Sequence, residues 1–449
     1  MIYKGLNRIS MIGDIKTNGG GEIAEVYGGI GESNPIYCKQ REMVGTSPMQ
    51  FNALGLPLKD YRIYGETLQD GTPSPDMPVD VVGCGARTEN LADLYGVNKT
   101  GLNLTFTTGN NMSIKINGTK VDGLNVQVMA QPNIVLPAGV YTVKIKMIGG
   151  SITNITGGVM FGINASTYGM RTKPGVNTIG KIGTETFTLN EDTVLASLDI
   201  TPSYADVGAV FNDAEFECWL YKGSTDLPYE PYGYKLPVTT TNGTDTVSTP
   251  IYIGSEPLHR IGEYADYVDY SSGKIMRRIK KLVLTGKDGE WFKSSTRVGS
   301  FYLRATDNLI AGFGLCDRAV NVGNIGAYSS SGKMLVEKTS VSFFAFNLWL
   351  FDTDRSLADF KAYLAAQYTA GTPVTVWYVL SEPIEEDPPV PLPEIPTLSG
   401  TNTLTVDTTV KPSRIDLTGR IKTSGYGQLL DKNSTAINDS TGTPIFIRG

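Results

Sequence analysis

From Met112 onward apolar and polar positions alternate: Met112, Ile114 and Ile116 against Ser113 and Lys115, up to Asn117-Gly118. A period of two marks a strand with one buried face, and Asn-Gly is a strong two-residue hairpin signal. The pattern predicts a hairpin returning through Leu124, Val126 and Val128. After Pro137-Ala138-Gly139, Tyr141, Val143, Ile145 and Met147 face one way and Thr142, Lys144 and Lys146 the other, as in a two-sided strand. Phe216, Cys218 and Leu220 share one face of a later strand. With runs near 187–189 and 194–200, the segment predicts about seven or eight strands, which fits a jelly-roll-like sandwich over 90–238.

Leu227 to Val238 reads LPYEPYGYKLPV. Pro228, Pro231 and Pro237 each fix φ and withhold a donor, which predicts an extended strap closing that sandwich rather than a helix or a central strand. A second sandwich with one helix is predicted over 249–384, opening at Ser255-Glu256-Pro257-Leu258 and ending at Ser381-Glu382-Pro383-Ile384. Within it, 341–351 is apolar on both faces, as in a central strand, and Val374 to Leu380 is β-rich. The helix is predicted over 356–369: Ser356 caps it with Asp359 three residues on, Leu357, Phe360 and Leu364 form its apolar stripe, and Gly371 and Pro373 stop it. Six prolines between Pro383 and Pro396 predict a stiff strut at 385–397, with a C-terminal β tail over 398–449. At the other end, 1–56 is assigned to an N-terminal docking segment and 57–89 to a strand and loop connector.

The chain has 449 residues, too many for one core, and its 51 glycines and 24 prolines agree with short strands joined by turns. The fold class is all-β and multi-domain. A net charge of −6 argues against a nucleic-acid partner. No segment approaches the roughly 20 apolar residues that span a bilayer, and the N-terminus lacks the apolar run of a signal peptide, so no membrane insertion is expected. Cys38, Cys84, Cys218 and Cys316 lie far apart with no CxxC pairing, which writes neither a zinc site nor a disulfide framework.

Candidate chemistry is sparse. The single histidine, His259, beside Glu256 and Arg260, reads as a surface or loop residue rather than a catalytic base. Asp352-Thr353-Asp354 begins like a calcium loop, but Leu357 stands where glycine is needed and no glutamate follows at position twelve. Neither catalytic residue, metal nor cofactor is assigned. Lys274, Arg277, Arg278, Lys280 and Lys281 read as a solvated strand face or, alternatively, a phosphate contact. Tyr264, Tyr267, Tyr270 and Trp291 are the carbohydrate-contact candidates, because a ring face suits a sugar's C–H surface; the competing reading is core or interface filling.

Several blocks in order carry a resemblance: Pro57 to Gly65 (PLKDYRIYG), Gln69 to Asp76 (QDGTPSPD), GSTDLPYEPYGYKLPV, SEPLHRIGEYADYVDYSSGKIMRRI, YVLSEPIEE and LPEIPTLSGTNTLTVDT. Together, over roughly 57–410, they resemble tail and baseplate-appendage proteins of phages and prophages of Firmicutes-type bacteria. The resemblance implies jelly-roll or carbohydrate-binding-module-like domains in a virion tail tip made in the host cytoplasm, other tail proteins as partners, a homotrimer, and host cell-wall glycan as a receptor. It implies no residue-level site. The expected function is non-enzymatic host-surface attachment; a purely architectural baseplate role and a wall-polysaccharide hydrolase are the alternatives.

Overall fold

The computed structural model describes residues 57–421 apart from 59–60, 102, 122–126, 166–167, 173, 204, 295–298, 306, 323–330 and 341–342. Outside that span it describes the strands Arg8–Ile9, Ile23–Tyr27, Ile36–Met43, Met49–Leu54 (with Gly55), Tyr426–Gln428 and Phe446–Arg448. Most of the 1–56 segment and of the tail after 421 therefore lies outside the described residues, as do Leu124 and Val126. The described residues are mostly strand, with Leu357–Thr369 the one α-helix among them, so the fold is all-β. They form two compact units, one of Arg87–Lys235 with Tyr252–Glu256 and one of the remainder.

The first of these units is a two-sheet sandwich of ten strands, more than the alternation predicts. One sheet runs Ile182–Leu189, Gly139–Thr153, Val210–Lys222, Ile114–Thr119, Leu104–Thr108, Asn98–Gly101. The other runs Gln127–Leu136, Thr193–Pro202, Val159–Ala165, Tyr168–Arg171. Tyr141, Val143, Ile145 and Met147 all point into the core with Phe106, Phe161, Phe211 and Phe216, each at most 1% exposed. Burial of each such side chain contributes about 1.5–3 kcal/mol relative to exposure. Cys218 is part of this core, with its thiol buried.

Two expectations change here. Asn117-Gly118 makes no hairpin: it lies inside Ile114–Thr119, and the register against Val210–Lys222 shifts between Ile116 and Gly118. The extra residue lies in Val210–Lys222, where Asn212 and Asp213, the latter at φ +45°, oppose Asn117, while Gly118 takes φ +116° and any Cβ there would sit 2.3 Å from the Asn103 carbonyl oxygen. The polar face of Gly139–Thr153 is also covered. Lys144 is buried, places its ammonium 4.9 Å from the Trp219 ring centre and pairs with Asp226. The strap supplies the cover: Tyr229 meets Trp219 edge-on at 5.4 Å and donates its hydroxyl to the Asn111 carbonyl at 2.6 Å.

The second half of the strap departs from the sequence reading. Tyr234–Asn242 is a strand lying between Asp245–Gly254 and Ser399–Val406, an interior position that includes Pro237. The proline is tolerated because it precedes the first pair with Ser399–Val406, Val238 with Val406, while its carbonyl accepts the Asp407 N–H at 2.9 Å.

The other unit holds a nine-stranded sheet whose order is Arg8–Ile9, Ile23–Tyr27, Ile36–Met43, Arg414–Ile421, Tyr61–Tyr64, Tyr267–Asp269, Lys274–Leu284, Val374–Glu386, Leu309–Cys316. A five-stranded sheet of Trp291–Lys293, Ser300–Ala305, Phe343–Trp349, Lys333–Ser340 and Val320–Asn321 shares a core with its later strands. The helix sits in that core: Phe360 stacks on Phe301 at 4.2 Å and meets Trp291 edge-on at 4.9 Å, and Leu364 is fully buried. Its capping box is present as the sequence predicts: the Asp359 N–H donates to Ser356 Oγ at 3.1 Å and the Ser356 N–H to Asp359 Oδ2 at 3.2 Å.

Of the segments 57–89, 385–397 and 398–449, separate in the sequence reading, residues 57–86, 385–397 and 398–421 enter this unit. Tyr61–Tyr64 lies between Arg414–Ile421 and Tyr267–Asp269. The proline strut runs beside it, with the Leu58 N–H donating to Ile395 O at 2.8 Å and the Tyr61 hydroxyl to Pro393 O at 2.9 Å. Proline withholds a donor but keeps a carbonyl acceptor, so a stiff segment can still be fastened.

Two outcomes test this arrangement. A chain ending at residue 397 loses Ser399–Val406 and Arg414–Ile421 from the sheets of the discontinuous unit, so limited proteolysis should digest that unit while 87–235, holding Trp219, stays protected. Gly118→Ala should lower the sandwich's unfolding free energy by about 1–3 kcal/mol in urea titration. Gly180→Ala, at φ +85° but with nothing within 4 Å of an added Cβ, should cost less.

Candidate functional site

The four aromatic candidates do not form one platform. Trp291 is 4% exposed and belongs to the core against Phe360. Tyr264 meets Phe313 edge-on at 5.0 Å beneath the Arg278 guanidinium. Tyr270 pairs with the buried Tyr61 at 4.9 Å, whereas Tyr267 stacks on Tyr64 at 5.0 Å with 28° between planes. The three tyrosines are spaced by three, and in extended chain that spacing turns successive residues to opposite faces.

What Tyr267 joins is a patterned face across three strands. Tyr61 and Ile63 point inward at 1% and 0% exposure, so Arg62 and Tyr64 point the other way. In Arg414–Ile421, Ile415 and Leu417 are buried and Arg414 and Asp416 share the opposite face. Antiparallel register then aligns two rows: Tyr267, Tyr64 and Arg414 in one, Asp269, Arg62 and Asp416 in the other. The strands lie about 4.8 Å apart and the rows about 7 Å along them.

Within the rows each group has a neighbour. The Arg414 guanidinium donates to both Asp416 oxygens at 2.7 Å and lies 5.0 Å from the Tyr64 ring centre. Arg62 Nη2 donates to Asp269 Oδ2 at 2.9 Å, and its guanidinium lies 5.9 Å from the Tyr267 ring centre. Asp269 Oδ1 accepts the Ser271 N–H and hydroxyl. Burial works against ionisation of Asp269, yet the hydrogen bonds from Ser271 and Arg62 outweigh it and hold the carboxyl below its ordinary range. Burial, with Asp416 adding to it, raises the Tyr64 phenol above its ordinary value. At neutral pH the face therefore offers phenol and guanidinium groups, with the Arg62 and Arg414 side chains 40% and 38% exposed over Asp269 and Asp416 at 8% and 13%.

Next to this face a buried polar knot fixes the Tyr267–Asp269 strand. Asp266, 1% exposed, accepts the His259 N–H at 2.9 Å on one oxygen and the Arg278 and Ile279 N–H groups at 2.6 and 2.7 Å on the other. Arg277 lies 3.9 Å away and links to Glu386 at 2.9 Å and to Pro257 O at 2.9 Å. Burial pushes the Asp266 carboxyl up to about 6, with Arg277 and the three N–H donors opposing the rise. His259 is buried, not a surface residue. Thr67 Oγ1 accepts the Arg260 N–H at 2.8 Å and lies within hydrogen-bond distance of His259 Nδ1, at 3.2 Å. Burial, reinforced by Arg277 and Lys281, lowers His259 to about 3. Asp266 holds the histidine's backbone rather than its ring, so the serine-protease type of relay is not built here.

The basic run is likewise tied down rather than uniformly solvated. Lys274 pairs with Asp387 at 2.6 Å, Lys280 with Asp307 at 3.0 Å, Arg278 covers Tyr264, and Arg277 is 7% exposed. In an extended strand alternate residues turn inward, and the inward cation is neutralised there. Among the described residues no group of three His, Cys, Asp or Glu is placed to hold a metal. Asp352 accepts the Ser331 N–H at 2.8 Å and Asp354 pairs with Lys293 at 2.7 Å. Cys84, Cys218 and Cys316 are buried thiols, and burial pushes Cys84 up to about 12.

Sequence reasoning missed Arg62, Tyr64, Asp269, Arg414 and Asp416. The signal was present: DYRIYG and SRIDL each alternate with period two, and the polar residues of that alternation form the rows. Comparison of the chain with protein-family models, with curated proteins and with solved structures returns no match.

The knot predicts a pH signature. His259 titrates near 3 folded and near 6.5 unfolded, so the unfolded chain binds the extra proton between those values and the residue's contribution to stability falls on acidification through that window. Asp266, raised to about 6 from 3.8, acts oppositely: its contribution is full below 3.8 and lost as pH rises through 6. The stability of wild type relative to His259→Gln should therefore decline as pH drops from about 6.5 towards 3, read from urea midpoints of each protein at several pH values.

Proposed function

We propose that this chain is a non-enzymatic component of a phage tail tip or baseplate, and that it contributes to attachment by touching the glycan of a Gram-positive host surface. The observation that carries the contact is the pair of cross-strand rows, Tyr267–Tyr64–Arg414 and Asp269–Arg62–Asp416, set on a half-exposed sheet face with each side chain held by its neighbours. Planar hydrogen-bonding groups whose positions are fixed before binding lose little rotamer freedom on contact, which favours recognition. The ordered sequence blocks support the tail-tip assignment, and two of them, 57–65 and 255–279, supply Arg62, Tyr64, Tyr267 and Asp269. Virion tail parts are commonly symmetric oligomers, and a trimer of this chain with other tail proteins as partners belongs to the proposal.

A specific observation favours a scaffolding share in the role. Val135 and Val194 are directly paired across strands of the sandwich and stand 51% and 53% exposed. An exposed apolar cross-strand pair suits contact with another chain.

The purified full-length chain should sediment with cell walls of its host and not with walls of an unrelated bacterium. Gold-labelled antibody against it should decorate the tail tip of intact particles. Equal binding to both walls overturns the receptor role and leaves the scaffold; label elsewhere on the particle overturns the placement.

A further inference from the structure

The chemistry of the two rows narrows the ligand, and this step rests on the attachment reading above. Arg62 and Arg414 are two positive charges, Asp269 and Asp416 two negative ones, and each cation already meets a carboxylate at 2.9 and 2.7 Å respectively. The next cation along the row, Lys274, opposite Asp269 in register, is taken by Asp387 at 2.6 Å. A phosphate group reaching these guanidiniums would have to displace a carboxylate that stays beside it, and like charges at that spacing repel. The ring faces are occupied as well. Tyr64 has Arg414 on one side and Tyr267 on the other, and Tyr267 has Arg62 over it and Met276 as its register neighbour on the far side.

What such a stack turns outward is the edges and hydroxyls of two half-buried tyrosines and the guanidinium N–H groups of Arg62 and Arg414, 40% and 38% exposed, over carboxylates that are only 8% and 13% exposed. Each guanidinium charge is balanced by the carboxylate beneath it, so the face presents donors without net charge. We infer that the Tyr64–Tyr267 face takes an uncharged, polyhydroxylated saccharide, held by hydrogen bonds to side-chain edges, and not a phosphate-bearing wall polymer held by ion pairing. A hydroxyl oxygen can accept from the outward guanidinium N–H groups without displacing the carboxylate already paired behind them. Exchange of neutral hydrogen bonds also leaves affinity nearly independent of ionic strength, whereas ion pairing at an exposed face is screened.

The test uses the full-length chain and two probes from the same host wall: its neutral polysaccharide fraction and its glycerol-phosphate teichoic acid, each titrated calorimetrically at low and high salt. Binding to the neutral fraction, changed less than about twofold by salt, is expected. The double variant Tyr64→Phe/Tyr267→Phe keeps both rings in the stack and removes two hydroxyls. It should keep the wild-type melting temperature and bind about tenfold more weakly. Salt-sensitive binding to the teichoic acid alone overturns this inference and leaves the attachment reading standing. Binding of the neutral fraction with full strength in the double variant overturns the placement on this face. Binding of neither probe, with no sedimentation on host walls, overturns the attachment reading and this inference with it.

Discussion

A four-residue strand is the constraint on which the discontinuous unit depends. Tyr61–Tyr64 is paired on one side with Tyr267–Asp269 and on the other with Arg414–Ile421. The bonds that fasten it bridge 207 residues from Arg62 to Asp269 and 348 residues from Gly65 to Ser413. Closing loops of that length adds little beyond what shorter ones cost, since the entropy grows only logarithmically, but no local preference directs it. The driving force is burial of Tyr61 and Ile63 together with satisfaction of both edges of the strand. Gly65 shows how tight the closure is: a Cβ there would lie 2.6 Å from the Leu258 carbonyl carbon.

Next to this strand the Asp266 knot does a second job. A carboxylate out of water is costly unless its acceptors are met, and here three backbone N–H groups and Arg277 meet them. Those N–H groups belong to the segment before Tyr267 and to the strand after it. The knot therefore sets the position of Tyr267–Asp269, and so the spacing of the outward rows. Arg277 carries the arrangement on to Glu386, where the long Val374–Glu386 strand ends. Polar groups buried in this way give weak net stability but a single geometry, which is what a contact face needs.

The outward rows follow from the inward packing. Each strand of the face spends alternate residues on the core, and the others are free to carry function: Arg62 and Tyr64 opposite Tyr61 and Ile63, Arg414 and Asp416 opposite Ile415 and Leu417. Because register brings like positions of distant strands side by side, a few residues from three places in the chain form one continuous chemical surface. The same rule removed Trp291 from consideration, since its place in the alternation turns it into the core while Phe292 and Tyr302 stack at 5.1 Å from half-buried positions.

Local signals in the sequence were sufficient for the all-β class, for the inward face of Gly139–Thr153, and for the helix with its Ser356–Asp359 capping box, because each depends on residues within one turn or one strand. Those signals also contained Tyr267 as a candidate and the alternation of DYRIYG. Tertiary structure alone decided which strands are neighbours: that Tyr61–Tyr64 and Arg414–Ile421 flank one another, that Pro237 can sit in an interior strand, that Asn117-Gly118 runs opposite a bulge instead of turning a hairpin, and that His259 and Arg277 are buried. Hydrogen bonds between strands carry no sequence label and join residues hundreds of positions apart, so periodicity reports which face a residue takes but never which partner that face will meet.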